Sequence, residues 1–162
     1  MKNGYLTSGS YDGVIKIWDL INWKLIYTFD KFNNGHIDLI KSLCSIGNNL
    51  LASGSRDGTV KLWDITNGQL KYSFNHNIVN KKMSIEKLIQ INENNIVIGL
   101  SLIDLNFQTV QIKIFDIINR NITNTLNFSG NGFFTDLIKR ENGVFALGIG
   151  ISIRSFKMNI FT

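Results

Sequence analysis

The sequence predicts an all-β protein built from repeated units of antiparallel strands. Two stretches, residues 6–19 and 50–64, share one pattern: small residues, an Asp-Gly pair, then alternating apolar residues that end in Trp-Asp. An Asp-Gly pair between two such runs is a strong hairpin signal. A long motif that occurs twice indicates an internal repeat, and the repeat period constrains the fold of the whole chain.

The composition is that of a globular domain. The 162 residues are 44% hydrophobic and 18% charged, which argues against a disordered chain. The single cysteine, Cys44, allows no internal disulfide. No apolar run is long enough for a transmembrane segment, and the first residues lack the apolar core of a secretory signal. We therefore expect an intracellular protein, in the cytoplasm first and the nucleus second.

An aromatic residue followed by aspartate marks each of three repeats. Trp18 and Trp63 lie 45 residues apart, and Phe115 follows Trp63 after 52 residues. A basic residue stands two positions before each aromatic, and a large apolar residue stands eleven positions after it. These flanking residues are Lys16, Lys61, Lys113 and Phe29, Phe74, Leu126. Phe156, with Arg154 before it, marks a weaker fourth copy. The units span approximately residues 1–29, 30–75, 76–127 and 128–162.

Each unit contains three or four predicted strands. Turn signals such as Asn67-Gly68 separate runs of alternating residues. The apolar residues of 84–91 also fit helical spacing, but the repeat register favours a strand. The predicted strands lie near residues 5–10, 14–18, 24–29, 39–45, 50–55, 59–63, 69–74, 84–91, 95–100, 110–115, 122–127, 133–139, 143–149 and 151–156.

The units resemble WD repeats, the building blocks of WD-repeat β-propellers. Gly35-His36 opens the second unit, residues 53–58 form its middle, and Trp63-Asp64 ends a strand. The resemblance covers nearly the whole chain and is strongest in this unit. In the third unit Phe115 replaces the tryptophan and Thr109 replaces the turn aspartate. The resemblance implies a β-propeller of four-stranded antiparallel blades, here an incomplete or small ring.

The family resemblance also implies a chain of polar side chains inside each blade. The expected members in the second unit are His36, Ser53, Asp57 and Trp63. The expected members in the first unit are Ser8, Asp12 and Trp18. An indole N–H can only donate, a hydroxyl can relay and a carboxylate ends the chain. In the third and fourth units the set is broken.

Ser53, His36 and Asp57 are also the residue types of a hydrolase triad. A nucleophile must be exposed in a cleft, whereas the repeat places Ser53 in the middle of a strand. The sequence contains no nucleophile elbow, phosphate-binding loop or histidine pair at metal spacing. We therefore expect a non-catalytic protein without metal or cofactor, in which His76 is an exposed loop residue and Cys44 fills space in a strand.

Three residues are candidate partner contacts. Binding surfaces of the family usually lie on the face formed by the turns between the second and third strands of the blades. Tyr11 and Arg56 precede the turn aspartates there, and their residue types are enriched at interface hot spots. Asp38 and the connection 101–109 are weaker candidates. The resemblance implies a scaffold for protein–protein interaction, within a larger complex or a longer propeller.

The net charge of +5 leaves nucleic acid or anionic lipid as an alternative partner. One basic residue per unit would form a partial ring of charge, namely Lys16, Lys61, Lys113 and Arg154. The other interpretation is that these residues protect strands near the outer edge of each blade. The basic residues at 81–82, 87 and 139–140 are expected to be solvated loop charges.

The strand count leaves the ring open. The first unit lacks its innermost strand and the last unit lacks its outermost strand, whereas propellers close with about four to eight blades. The chain is then a piece of a longer propeller, a unit that self-associates through its open blade ends, or a closed four-bladed ring. The start of the first unit in mid-blade favours the first explanation.

Overall fold

A computed structural model describes residues 4–78, 81–102, 109–129, 134–140, 144–150 and 152–157. The described residues form fourteen β-strands and a short 3-10 helix, Lys31–Asn33. The strands are β1 (Tyr5–Gly9), β2 (Ile15–Asp19), β3 (Lys24–Phe29), β4 (Ile40–Ile46), β5 (Leu50–Ser55), β6 (Thr59–Asp64), β7 (Gln69–Asn75), β8 (Met83–Gln90), β9 (Asn95–Leu102), β10 (Thr109–Asp116), β11 (Asn121–Ser129), β12 (Phe134–Lys139), β13 (Val144–Ile149) and β14 (Ser152–Lys157). The predicted all-β class is confirmed.

The strands form four antiparallel sheets in chain order, which we number blades 1 to 4. Their strand orders are β1-β2-β3, β4-β5-β6-β7, β8-β9-β10-β11 and β12-β13-β14. Blades 2 and 3 have four strands, and blades 1 and 4 have three among the described residues. The strands that the structure describes do not close a ring. Within the same residues, no helix is long and apolar enough to cross a bilayer.

The strand register aligns the repeats residue by residue. In β5 and β6, Leu51 lies opposite Trp63 and Ser53 lies opposite Lys61. The corresponding pairs are Leu6–Trp18 and Ser8–Lys16 in blade 1, and Ile96–Phe115 and Ile98–Lys113 in blade 3. Blade 3 thus has apolar Ile98 at the position of Ser53.

Aromatic rings join neighbouring blades. Trp63 of blade 2 stacks on Phe29 of blade 1 with ring centroids 4.2 Å apart. Phe115 of blade 3 packs against Phe74 of blade 2 at 5.1 Å. The aromatic residue of one repeat therefore packs on the apolar residue that lies eleven positions after the aromatic of the preceding repeat. Much of the core lies between blades.

The interpretation that the recurring basic residues protect strands near the outer edge of a blade is wrong for Lys61 and Lys113. Lys61 and Lys113 lie in β6 and β10, each of which pairs with a strand on both sides. Burial lowers the pKa of both ammonium groups. These lysines cannot shield a sheet edge because their strands are not edges.

Three lysines expected to be solvated loop charges have partners. The Lys82 Nζ lies 2.9 Å from Asp38 Oδ2. Lys87 belongs to strand β8 and pairs with Asp136 at 2.9 Å. Lys139 donates to the carbonyl oxygen of Ile91 at 2.9 Å. All three contacts join segments of adjacent blades, the first between blades 2 and 3 and the other two between blades 3 and 4.

Part of the connection 101–109 is defined by the structure. Leu102 ends β9 and is buried. Ile103, Leu105 and Phe107 lie outside the described residues, so the predicted contact role of this connection stays a prediction.

Candidate functional site

The structure brings together the four polar residues of the second unit. The Trp63 Nε1 donates to Ser53 Oγ at 2.8 Å. The same hydroxyl lies 2.8 Å from His36 Nε2, and His36 Nδ1 lies 2.9 Å from Asp57 Oδ2. All four side chains are buried. They form a continuous hydrogen-bonded chain from β6 through β5 to the β5–β6 turn.

The donors and acceptors of this chain are compatible with one direction of donation. Because an indole N–H can only donate, Ser53 accepts from Trp63. With the His36 proton on Nδ1, toward Asp57, Nε2 accepts from the Ser53 hydroxyl, and every member of the chain is then satisfied.

The Asp57 carboxylate accepts three further hydrogen bonds. It accepts from the Thr59 hydroxyl at 2.6 Å, the Thr59 backbone N–H at 2.8 Å and the Ile37 backbone N–H at 3.2 Å. Burial alone would raise the pKa of Asp57, but the hydrogen bonds from His36 and Thr59 outweigh burial and hold it far below its usual range. The charged carboxylate therefore ties the β5–β6 turn to the segment before β4.

Blade 1 has the tryptophan–serine link of the chain, and its Asp12 bonds separately within the β1–β2 turn. The Trp18 Nε1 donates to Ser8 Oγ at 3.2 Å, and Asp12 accepts from the backbone N–H of Val14 at 3.1 Å. The bond from Val14 is the main reason that the pKa of Asp12 is lowered. These residues are more exposed than those of blade 2.

The Ser53 hydroxyl is not accessible to a substrate. Ser53 is fully buried, and its oxygen is engaged by Trp63 and His36. An acyl-transfer nucleophile must reach a reacting carbonyl beside an oxyanion site. The arrangement of serine, histidine and aspartate holds the blade together and presents no nucleophile.

The candidate contact residues lie on one face of the blades. Tyr11 and Arg56 are exposed in the β1–β2 and β5–β6 turns. The backbone connects both turns to the segment that carries Asp38, because Ile40 donates to the Ser10 carbonyl and Arg56 donates to the Leu39 carbonyl, both at 3.0 Å.

A cavity of about 520 Å³ opens beside Asp38 on this face. Its lining residues are Ile37, Asp38, Asp57, Asn77, Lys81 and Lys82. The hydrogen bond from Lys82 is the main cause of the lowered pKa of Asp38. We call this surface the turn face and define it by Tyr11, Ile37, Asp38, Arg56 and Lys82.

The prediction that His76 is exposed is wrong. His76 is buried, its ring packs edge-on against Phe74 at 4.4 Å, and its backbone N–H donates to Gly58 at 2.9 Å. Burial, followed by the nearby charge of Lys113, lowers its pKa to about 3. The alternation of exposed and part-buried residues along β7 could have predicted this burial, because position 76 follows Phe74 by two residues and lies on the same face of the strand.

Cys44 is half-buried at the edge of the core between blades 2 and 3. Burial raises the pKa of its thiol, which keeps the less reactive protonated form. Among the described residues, no three His, Cys, Asp or Glu side chains are grouped in a way that would hold a metal ion.

Comparison with known proteins finds similarity to WD repeats in the first two units. The family model "WD domain, G-beta repeat" matches residues 2–19 and 23–64. No significant match was found among curated protein sequences. The β-propeller domain of Cps50 (Swd1) from Myceliophteria thermophila is a similar solved structure, with a TM-score of 0.57 at 18% sequence identity. The similarity covers 96% of this chain but 62% of that one. The family match covers the first two units only, and the fold is similar to that of a β-propeller, as predicted.

Proposed function

We propose that the chain is a non-catalytic scaffold that binds a polypeptide segment of a partner protein on the turn face. The observation that carries the proposal is the pair of exposed side chains, Tyr11 and Arg56, on the same face as the cavity. Proteins with WD repeats are generally interaction scaffolds, which supports the same function. Fold alone does not assign function, so the proposal depends on this surface.

The chemistry of the turn face indicates the kind of segment that it would bind. Tyrosine supplies a large contact area with few rotatable bonds. Arginine supplies a large contact area with several hydrogen-bond donors in a fixed geometry. Ile37 is 80% exposed beside the paired charges of Asp38 and Lys82. Such a surface suits a segment that carries one apolar side chain and charged groups of both signs.

The turn face is also held in place by hydrogen bonds of Asp57 and Asn77, which line its cavity. Asp57 lines the cavity and at the same time ends the hydrogen-bonded chain of blade 2. Asn77 donates to the Asp57 carbonyl at 2.9 Å and accepts from the Met83 N–H at 2.8 Å, which links blades 2 and 3. A surface that is ordered before binding loses less entropy when a partner docks.

A peptide selection tests the proposal. The full chain is immobilised, a phage-displayed library of random peptides is selected on it, and the enriched peptides are measured by fluorescence polarisation. Replacing Tyr11 and Arg56 together by alanine should weaken binding by about thirtyfold, equivalent to about 2 kcal/mol. The matched control replaces Lys24, which begins β3, and Glu93, which lies in the β8–β9 turn; both are exposed at the other end of the blades. Equal affinities of both variants would overturn the proposal.

The alternative partner, a polyanion, makes a different prediction. Binding of duplex DNA or phosphatidylserine vesicles would weaken steeply as salt is raised. Lys82 and Lys87 already lie against carboxylates, so they have less charge to offer than the sequence alone indicated. The same polarisation assay with these two probes separates the alternative from the scaffold function.

A further inference from the structure

A tightly bonded loop holds one aromatic side chain out in solvent. The Asp30 carboxylate accepts from the backbone N–H groups of Phe32 at 2.9 Å and Asn33 at 3.1 Å. The Asp30 carbonyl accepts from the N–H of Gly35 at 2.6 Å, and a Cβ at Gly35 would collide with the Asp30 backbone. Phe32 is nevertheless 84% exposed, with the Lys31 ammonium 5.1 Å from its ring centroid. The exposure of Phe32 is therefore imposed by the loop.

Phe32 lies at the same end of the blades as the turn face. It follows β3, whose last residue, Phe29, lies opposite Ile15, the first strand residue after the β1–β2 turn. Ile78 follows β7 of blade 2 in the same way. Exposed apolar side chains that gather in one region mark contact sites. The exposed ones at this end are Tyr11 and Ile37 at 80%, Phe32 at 84% and Ile78 at 50%.

Asp57, in the wall of the cavity on the turn face, has its acceptor sites filled by the protein. Its Oδ1 accepts two hydrogen bonds from Thr59. Its Oδ2 accepts from the His36 ring and the Ile37 backbone N–H. A carboxylate has about four lone-pair sites in all. A cationic side chain that entered the cavity would therefore gain no further hydrogen bond from Asp57.

The basic groups at the cavity still have donors to offer. The Lys82 ammonium donates to Asp38 Oδ2 at 2.9 Å, which uses one of its three N–H groups. Lys81 also lines the cavity and is exposed. Among the described residues, neither Lys81 nor Arg56 lies within ion-pair distance of a carboxylate. The groups left for a ligand are therefore mainly cationic donors, which favour an anion.

The cavity wall also limits the charge of that anion. Asp38 and Asp57 repel an anionic ligand, and the repulsion grows with the charge of the ligand. A phosphate group carries about two negative charges at neutral pH, whereas a carboxylate carries one. A single carboxylate suits a site with two lysines, of which Lys82 is already shared with Asp38.

We propose that the segment bound on the turn face places an aspartate or glutamate side chain in the cavity, against the ammonium groups of Lys81 and Lys82. Flanking apolar side chains of the segment pack on Ile37 and Phe32. This inference rests on the proposed function and specifies it, because it assigns the group of the partner that enters the cavity.

Four synthetic peptide libraries test this inference with the full chain. Each library has the same random mixture of phenylalanine, leucine, serine and glycine around one fixed central residue, which is glutamate, glutamine, lysine or phosphoserine. The fluorescently labelled chain is titrated with each library. The glutamate library should bind about tenfold more tightly than the glutamine library, because hydrogen bonds to a charged group are about twice as strong as neutral ones. The lysine library should bind most weakly.

Substitutions of the lysines make the test specific. Lys81→Gln combined with Lys82→Gln should remove the advantage of glutamate over glutamine. Lys81→Glu should shift the preference toward the lysine library. The matched control combines Lys24→Gln with Lys71→Gln, which removes the same charge from two exposed lysines, one of them paired with Asp64. The control should bind all libraries as the wild type does.

Phe32 has a separate readout. Its ring is uncharged, so Phe32→Ser should weaken the glutamate and glutamine libraries by the same factor, about threefold. Ile118→Ser is the matched control, since Ile118 is exposed in the β10–β11 turn at the other end of the blades.

Three outcomes would overturn this inference and leave the proposed function standing. They are equal binding of the glutamate and glutamine libraries, tightest binding of the phosphoserine library, and a glutamate preference that survives substitution of both lysines. In each case peptides would still bind the chain. Absence of binding to all four libraries would overturn the proposed function as well.

Discussion

Ser53 is the residue on which the polar chain of blade 2 depends most. Its one hydroxyl accepts from Trp63 and donates to His36, so its removal leaves two buried groups without partners. Blade 3 shows the alternative, because Ile98 and Phe115 replace the serine and the tryptophan together. When a donor and its acceptor are both replaced by apolar groups, no unsatisfied group remains from that bond.

The stability of Ser53 and Trp63 variants should therefore be non-additive. Ser53→Ala should lower the free energy of unfolding by about 3 kcal/mol, since it leaves the indole N–H and the His36 Nε2 buried without hydrogen-bond partners. Adding Trp63→Phe to this variant should cost less than Trp63→Phe does alone, with a coupling of about 1 kcal/mol. Urea unfolding of the wild type, both single variants and the double variant gives the coupling. Strict additivity would contradict the linked chain.

His76 should make the chain sensitive to acid. In the unfolded chain its imidazole takes up a proton near its ordinary pKa of 6.5, whereas in the folded chain it does so near 3. The stability contributed by the neutral, buried ring is complete above pH 6.5 and is lost as the pH falls from 6.5 toward 3, by at most about 1.4 kcal/mol per pH unit. Urea unfolding between pH 7 and pH 4, compared with His76→Phe, isolates this slope because other groups titrate equally in both proteins. Parallel curves would show that His76 is not the cause.

At the scale of elements, the turn between the third and fourth strands of a blade determines how closely the preceding blade can approach. Gly47 and Gly68 both have positive φ values, 56° and 72°. A Cβ at Gly47 would meet nothing within 4 Å, whereas one at Gly68 would meet the Tyr27 ring. Comparing substitutions at the two glycines therefore separates the cost of backbone strain from the cost of disturbed packing between blades.

Gly68→Ala should destabilise the chain more than Gly47→Ala. Both substitutions cost about 1 kcal/mol from the left-handed conformation, and Gly68→Ala adds about 1–2 kcal/mol because Tyr27 must move. The midpoint of urea unfolding measures both. In a Tyr27→Ala background the two substitutions should cost the same, and a persistent difference would show that the extra cost does not come from the ring.

The elements were largely predictable because the repeat supplies several independent signals for each strand. Turn glycines, alternation and the Trp-Asp pair agree in the second unit, and register then transfers the assignment to weaker units. The partners of side chains across blades were not predictable in the same way. The lysine at position 61 shows this, since the sequence reveals its periodicity but not that burial lowers the pKa of its ammonium group. His76 was missed because its position after β7 resembled a loop, although it continues the buried face of β7 beside Phe74.

At the scale of the whole molecule, burial is unequal along the chain. The inner strand of a complete blade, β4, shields β5 from solvent, and almost every residue of β5 is buried. The corresponding strand of blade 1, β1, pairs with β2 alone among the described residues, and none of its residues is buried. Blade 1 should therefore open more readily than blade 2.

Hydrogen exchange measures this gradient. After correction for intrinsic rates, the amides of β5 should exchange about a hundredfold more slowly than those of β1. Exchange in β9 should resemble β5, because it also has neighbours on both sides and a buried sequence. Equal protection of β1 and β5 would contradict the difference in burial between the two strands.

The contact between Trp63 and Phe29 also gives the molecule a direction. Blades 1 and 2 each have a tryptophan on one side and a tyrosine–phenylalanine strand on the other, so the contact between them is heterologous, joining two unlike surfaces. Duplication of one repeat would produce a unit whose two sides already fit its neighbours, without new contacts having to evolve. The same asymmetry means that blades can be added in one orientation only, and that the two sides of an unfinished arc differ in what they bind.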